Sequence, residues 1–253
     1  MGTVTSRDGT TIGFETTGDG PPLVLVHGST ADHTRWAPVL PGLAARYTVH
    51  AVDRRGRGLS GDHDSYDLRR EAEDIAAVID AVGPDVFLVA HSYGALCSLE
   101  AALRTDAINR IVLYEPPGDT PGHRVSSPDL LAALTNAATP DETVTILFRD
   151  ILRMPERDIE AMRGTPVWQA RLATAPTLLR ELTAIERFTF ATRLASIDVP
   201  VRLLVGTESP PYFRPVAEAI AAQVPNAEIV DLPGQSHTAM DTAPDLFLAK
   251  VLA

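Results

Sequence analysis

The chain predicts an α/β fold, with a mostly parallel sheet and helices on both of its faces. Three observations carry that expectation. Leu23-Val24-Leu25-Val26, Val86-Phe87-Leu88-Val89 and Val201-Arg202-Leu203-Leu204-Val205 are nearly continuous apolar runs, the pattern of strands covered on both faces. Helical patterns separate these runs, the clearest over 66–82, where Leu68, Ala72, Ile75, Ala76, Val78, Ile79 and Val82 recur on one face. Between residues 118 and 195 the alternation stops and only helical patterns remain. An inserted helical cap (118–195) over an α/β core (1–117 and 196–253) is therefore expected.

The elements follow in order. Residues 3–6 and 11–17 read as two antiparallel strands around Arg7-Asp8-Gly9-Thr10. The run ending at Val26 leads into the loop His27-Gly28-Ser29-Thr30. A helix is expected from Asp32 to Tyr47, carrying Trp36, Val39, Leu40, Leu43 and Ala44, and then a strand from Thr48 to Asp53. The next loop, Arg54-Arg55-Gly56-Arg57-Gly58-Leu59-Ser60-Gly61, is basic and Gly-rich but lacks the Lys-Ser/Thr ending of a phosphate-binding loop. Pairing of Asp53 with these arginines is expected to pin it. Gly83-Pro84 stops the 66–82 helix. An apolar strand and a helix follow over 86–104, and then a strand over 108–114. Helical patterns cover 128–138, 141–153, 156–163 and 167–194. The end of the chain reads strand 201–205, helix 215–223, strand 228–232 and helix 244–252.

Composition excludes several classes. A chain of 253 residues is long enough to bury a large core. Its net charge of −11 argues against nucleic acid and against anionic membrane surfaces as partners. No run approaches the roughly 18 consecutive apolar residues of a membrane span, and residues 1–10 show no apolar signal core. A single cysteine, Cys97, cannot form an internal disulfide and reads as a small core residue. These features suit a cytoplasmic protein, and a homo-oligomer stays open.

The chemistry centres on Ala90-His91-Ser92-Tyr93-Gly94, where the buried strand meets the helix. A serine at such a corner, flanked by small residues, has the pattern of a nucleophile elbow, although Ala90 stands where the commonest form has Gly. The loop after the first apolar run would supply the complementary element. Gly28 lets backbone pass close to a substrate, and the N–H groups of Ser29 and Tyr93 are the expected oxyanion donors. A serine hydroxyl needs a base. Of the seven histidines, His237 is placed best, in the loop after strand 228–232. His27 reads as a brace for its loop, and no metal is expected.

His27-Gly28, Asp53-Arg54-Arg55-Gly56-Arg57-Gly58-Leu59-Ser60, Ala90-His91-Ser92-Tyr93-Gly94 and Gly234-Gln235-Ser236-His237 occur in the order of the α/β-hydrolase fold family, which the chain resembles over essentially its whole length. The resemblance implies a Ser-His-acid hydrolase that needs no cofactor. The family usually places the acid in a Gly-x-x-Asp turn after the strand that follows the cap. Here that turn reads Gly206-Thr207-Glu208-Ser209, so its fourth position cannot orient an imidazole through charge. Glu208 stands one residue early. The competing and favoured acid is Glu115, at the tip of strand 108–114, where members resembling zearalenone-type lactonases carry a catalytic Glu; Pro116-Pro117 would stiffen the backbone there. A serine at position 92 argues against epoxide hydrolase and dehalogenase chemistry, which needs a carboxylate there.

The sequence therefore predicts hydrolysis of an ester or lactone of a medium-sized, largely apolar small molecule. Another reaction of the same triad, or slow-turnover ligand binding, is the alternative. Phe148, Met154, Met162, Trp168, Leu178, Leu179, Phe188 and Phe190 are the apolar residues available to the cap's pocket. The charge of −11 disfavours anionic substrates unless arginines such as Arg54, Arg55 and Arg57 reverse it locally.

Overall fold

The computed structural model describes residues 1–190 and 192–253. Eight strands form one sheet: β1 (Gly2–Thr5), β2 (Thr11–Thr17), β3 (Pro22–Val26), β4 (Thr48–Val52), β5 (Val86–His91), β6 (Ile108–Tyr114), β7 (Val201–Gly206) and β8 (Ala227–Leu232), in the order β1-β2-β4-β3-β5-β6-β7-β8. From β4 to β8 every pairing is parallel, while β1 and β2 close one edge antiparallel.

Side-chain alternation along the buried strands divides the core into two layers. Val24, Val26, Leu88 and Ala90 face one layer, with α2 (Leu68–Val82), α3 (Tyr93–Ala101) and α9 (Phe213–Ala221). Leu23, Leu25, Phe87 and Val89 face the other, with α1 (Leu40–Ala44), α10 (Ala239–Thr242) and α11 (Pro244–Leu252). Both faces are covered, which is why these strands read as unbroken apolar runs.

Two helical expectations are broken by proline. In place of one helix over 32–47 there is a 3₁₀ turn, His33–Trp36, and then the short α1. Pro38 and Pro41 each lack the N–H that an interior turn requires. The segment from 167 likewise divides at Pro176 into α7 (Pro166–Thr174), a 3₁₀ turn (Ala175–Thr177) and α8 (Leu178–Arg187). The expected end of that helix includes Ala191, which lies outside the described residues. Between β6 and β7 the chain also carries α4 (Pro128–Asn136), α5 (Pro140–Ile146) and α6 (Glu156–Met162), with a π-helical turn over Leu147–Ile151.

The sheet's order places β3 beside β5 although β4 lies between them in sequence. The loops leaving β3 and β5 therefore diverge from one crevice at the strands' C-terminal ends, the usual ligand position in such sheets.

Candidate active site

Ser92 stands between β5 and the first turn of α3 with φ 54° and ψ −128°, a left-handed backbone position that side chains rarely adopt. Its N–H bonds the Tyr114 carbonyl at 2.8 Å, and its own carbonyl accepts the Ala95 N–H at 2.8 Å. The corner tolerates no bulk nearby. A Cβ on Gly94 would stand 2.2 Å from the His27 carbonyl oxygen, and one on Gly28 would stand 2.8 Å from Ser92 Cβ. Among the described residues, five non-glycine residues have positive φ, and Thr30, Ser92 and Glu115 are three of them. Strain of this kind persists only where the surroundings enforce it, and it collects at functional sites.

Glu115 terminates β6 with φ 50° and is completely buried. One carboxylate oxygen takes the Gly206 N–H at 2.7 Å, and the other lies 2.5 Å from His237 Nδ1. His237 is held from three further sides. Phe213 stacks on its ring, with centroids 4.6 Å apart and planes 10° apart. The His91 Nε2–H donates to the His237 carbonyl at 3.0 Å. Tyr114 Oη donates to the Ser236 carbonyl and accepts the Ala239 N–H. Burial, then the neighbouring His237, pushes His91 well below the ordinary histidine range, so it acts as a neutral donor.

Glu208 does not reach His237. Its side chain is exposed, while its N–H bonds the Gln235 carbonyl at 2.9 Å. Gly234 N–H donates to Thr207 Oγ1 at 2.8 Å. The turn after β7 thus braces the histidine loop through other atoms.

The His27–Thr30 loop is braced by His27, whose Nδ1–H donates to the Gly28 carbonyl at 2.8 Å and whose Nε2 accepts the Arg54 N–H at 3.2 Å. Both ring nitrogens are used, and burial followed by the charges of Arg54 and Arg57 holds this imidazole neutral. The Ser29 and Tyr93 N–H groups donate to no protein acceptor among the described residues. Ser29, Ser92, Tyr93 and His237 line one cavity of about 50 Å³, walled in part by apolar residues that include Phe148 and Ile185.

Asp53 does not pin the Arg54–Gly61 loop by pairing with its arginines. Its carboxylate instead takes the backbone N–H groups of His33 and Leu59, each at 2.7 Å, and His33 Nδ1 at 2.8 Å. The arginines point inward to other partners. Arg55 forks onto Asp74 with two 2.7 Å bonds. Arg54 and Arg57 share one oxygen of Glu181, on α8, at 2.6 and 2.5 Å. Arg54 also reaches Glu71 at 3.1 Å, whose carboxylate accepts the Tyr66 hydroxyl. Burial would raise the Glu181 carboxyl, but the two guanidiniums outweigh it and hold it at about 2. None of the three arginines lines the cavity. Asp32, His33 and Asp53 also bring ligand-type atoms within 4.8 Å of one another, an arrangement accounted for by the Asp53 bonds to His33.

Of the apolar residues expected to line the pocket, Phe148 does so, while Trp168 packs behind it with ring centroids 6.3 Å apart. Met154 and Met162 line a separate outer cleft, and Leu178 is core. His91, Phe213, Arg35 and Arg171 surround the site but do not stand out in the sequence. Only His91, inside the Ser92 pentad, carried a positional signal.

The sequence profile of the alpha/beta hydrolase family matches residues 23–250. A 2-(acetamidomethylene)succinate hydrolase from Mesorhizobium japonicum is 27% identical over 95% of this chain and 90% of its own length. An alpha/beta hydrolase from Sphaerobacter thermophilus is 36% identical, with a TM-score of 0.85 and full coverage of both chains. The esterase RhEst1 from Rhodococcus sp. is 27% identical, with a TM-score of 0.79 over 99% of this chain and 96% of its own. With its eight-stranded, mostly parallel sheet and these relatives, the chain belongs to the alpha/beta hydrolase family.

Proposed function

We propose that the protein is a serine hydrolase that cleaves a carboxylic ester or lactone through an acyl-enzyme, with Ser92, His237 and Glu115 as its triad. The observation that carries this reading is the 2.5 Å approach of Glu115 to His237 Nδ1, with His237 and Ser92 lining one cavity. With Nδ1 bonded to Glu115, the proton of a neutral His237 sits on that nitrogen and Nε2 is left as the base. Nε2 takes the Ser92 proton as Oγ attacks the carbonyl, and returns it to the leaving alkoxide. Water then repeats the sequence on the acyl-enzyme and restores Ser92.

The developing oxyanion is taken by the N–H groups of Ser29 and Tyr93. The second lies in the first turn of α3, where the helix end favours negative charge. Residues 118–195 act as a helical cap on a core of 1–117 and 196–253, because Phe148, Ile151, Leu182 and Ile185 wall the cavity from that segment. The names of two relatives, one a hydrolase of an acetamido-substituted succinate and one an esterase, fit attack on an acyl carbon.

The test is hydrolysis of p-nitrophenyl acetate and butyrate, with fluorophosphonate labelling read by intact mass. Wild type should turn over and take up one label. Ser92→Ala, confirmed as folded, should lose about 10³-fold or more in rate and take none. Equal rates for the two proteins would refute the reading.

A further inference from the structure

Resting on the hydrolase reading above, we infer that the substrate carries a carboxylate beyond its scissile acyl group, and that Arg171 and Arg35 receive it at the throat of the catalytic cavity. Both side chains line the small cavity that holds Ser92 and His237, and both also line an outer cleft of about 550 Å³. They stand where the two spaces meet, together with Thr30, Phe148 and Thr238.

Their hydrogen bonding is incomplete at that point. Arg171, on α7, gives one nitrogen to the Thr30 carbonyl at 3.2 Å and to Thr30 Oγ1 at 3.3 Å, and its guanidinium lies 4.8 Å from the centre of the Phe148 ring. Among the described residues its Nε is buried without an acceptor and no carboxylate lies within ion-pair distance of the group. Arg35 pairs with Asp241 at 2.7 Å through one nitrogen, while its Nη2 is buried without an acceptor.

A buried cationic donor without a partner is costly. Some nitrogens of Arg54 and Arg57 also lack acceptors among the described residues, but each of those groups is paired with a carboxylate, whereas Arg171 is not. Arg54 and Arg57 share Glu181, and Arg55 has Asp74 and Asp8. Withdrawal from water, and then the like charge of Arg35, bring the Arg171 guanidinium down to about 10, so it still carries its charge at neutral pH. Of the two carboxylates in the outer cleft, Asp241 pairs with Arg35 and Asp32 accepts the Thr34 N–H and hydroxyl, so the Arg171 guanidinium faces the catalytic cavity with neither as an ion-pair partner. An anionic group on the ligand supplies the missing partner, and guanidinium forks match carboxylates in geometry.

The net charge of −11 does not oppose this. Charges dispersed over the surface are screened within about 8 Å at physiological ionic strength, whereas those at the throat act at contact range with little water between. The local reversal of charge that the sequence suggested for Arg54, Arg55 and Arg57 falls instead to Arg35 and Arg171.

The experiment compares initial rates on monomethyl succinate, glutarate and adipate with those on the matching dimethyl diesters, in which the free carboxylate is replaced by a second, uncharged methyl ester and rates are counted per ester group. Wild type should favour at least one hemiester by about tenfold or more in kcat/KM, in line with one charge-assisted hydrogen-bonded pair. Arg171→Gln should collapse that ratio through KM, and Arg171→Lys should restore part of it. A purely structural role, in which Arg171 only steadies Thr30, would lower both substrates equally and leave the ratio intact, and that result overturns the proposal. Titration calorimetry with glutarate and with glutaramide is a second arm that needs no variant to fold. Wild type should bind the dicarboxylate and not the diamide. Glutarate binding without any ester hydrolysis would refute the proposed reaction and leave the subsite standing. No charge preference in either arm refutes the subsite itself.

Discussion

Glu115 and His237 meet at 2.5 Å although 121 residues separate them along the chain, and the carboxylate's other oxygen is fixed by the Gly206 N–H at 2.7 Å. The segments leaving three strands are thereby tied at one point: Glu115 directly follows β6, Gly206 ends β7, and His237 lies in the loop after β8. Both carboxylate oxygens are held, so the position of the group is set before a substrate arrives.

Glu115→Gln tests that relationship. The amide keeps the shape and one acceptor but can present an N–H to Nδ1, favouring the wrong imidazole tautomer. A fall of about 10⁴ in kcat is the size seen when a triad carboxylate becomes an amide. Glu208→Gln, on an exposed side chain, should stay close to wild type. Rates on p-nitrophenyl butyrate decide between the two, and a larger loss for Glu208→Gln would remove Glu115 from the proposed role.

His91 is expected to position His237 through its bond to the His237 carbonyl. His91→Phe preserves the aromatic packing against Tyr114 but deletes the donor and leaves that buried carbonyl unpaired. The cost should be about 1–3 kcal/mol of stability. A roughly tenfold drop in kcat with little change in KM should accompany it, since a loosened base affects the transition state more than binding. Denaturant unfolding and steady-state rates check the two effects separately.

Most of the sheet was legible because its strands are buried on both faces and so spell continuous apolar runs. The Ser92 corner was legible because steric demand leaves few residue types there, and His237 because it lies in the loop after strand 228–232, before the last helix. Glu115 could be named only as one of two candidates, since position along the chain does not say which strand tip turns toward the histidine. The helix expected over 32–47 failed because apolar spacing was counted without the cost of Pro38 and Pro41. Partners of Arg54, Arg55 and Arg57 were illegible for another reason. Glu71, Asp74 and Glu181 lie on helices whose burial follows from the tertiary fold, and an acidic residue in a helical pattern reads as a solvated face. Arg171 was hidden in the same way.

Acid should destabilise the fold from a pH higher than carboxylates alone would set. His27 and His91 are held neutral well below the ordinary histidine value of 6.5. The unfolded chain therefore binds protons below pH 6.5 that the folded chain does not, and stability falls as pH drops through that value. From these two groups the slope approaches about 2.7 kcal/mol per pH unit, and His50, also lowered by burial, adds to it. Glu181 acts in a lower window. Its folded value of about 2 lies below the usual 4.5, so the stability it contributes is present above pH 4.5 and is lost toward pH 2. Denaturation midpoints between pH 8 and 5 should be flat above 6.5 and fall below it, and His91→Phe should lower the slope by about 1.4 kcal/mol per pH unit. A profile flat down to pH 5 would contradict the neutral, buried assignment.

Glu181 supplies the sharpest test of how the inserted helices are fastened to the sheet. It is fully buried on α8, yet both of its guanidinium partners come from the loop after β4. Glu181→Gln keeps the volume and removes the charge, leaving Arg57 without a carboxylate and Arg54 with only Glu71. Breaking one side of a buried ion pair costs about 3–5 kcal/mol, mainly through the charge left behind. If uncompensated charge is the cause, Glu181→Leu combined with Arg57→Met should recover most of the loss, because both halves of one pair are then replaced by apolar volume. The Gly28 carbonyl also faces Arg54, at 3.4 Å, so the single variant should slow ester cleavage beyond its effect on folding. Urea unfolding of the single and double variants, read with kcat, separates these effects. A single variant as stable as wild type would mean that the shared carboxylate contributes nothing to holding α8 on the core.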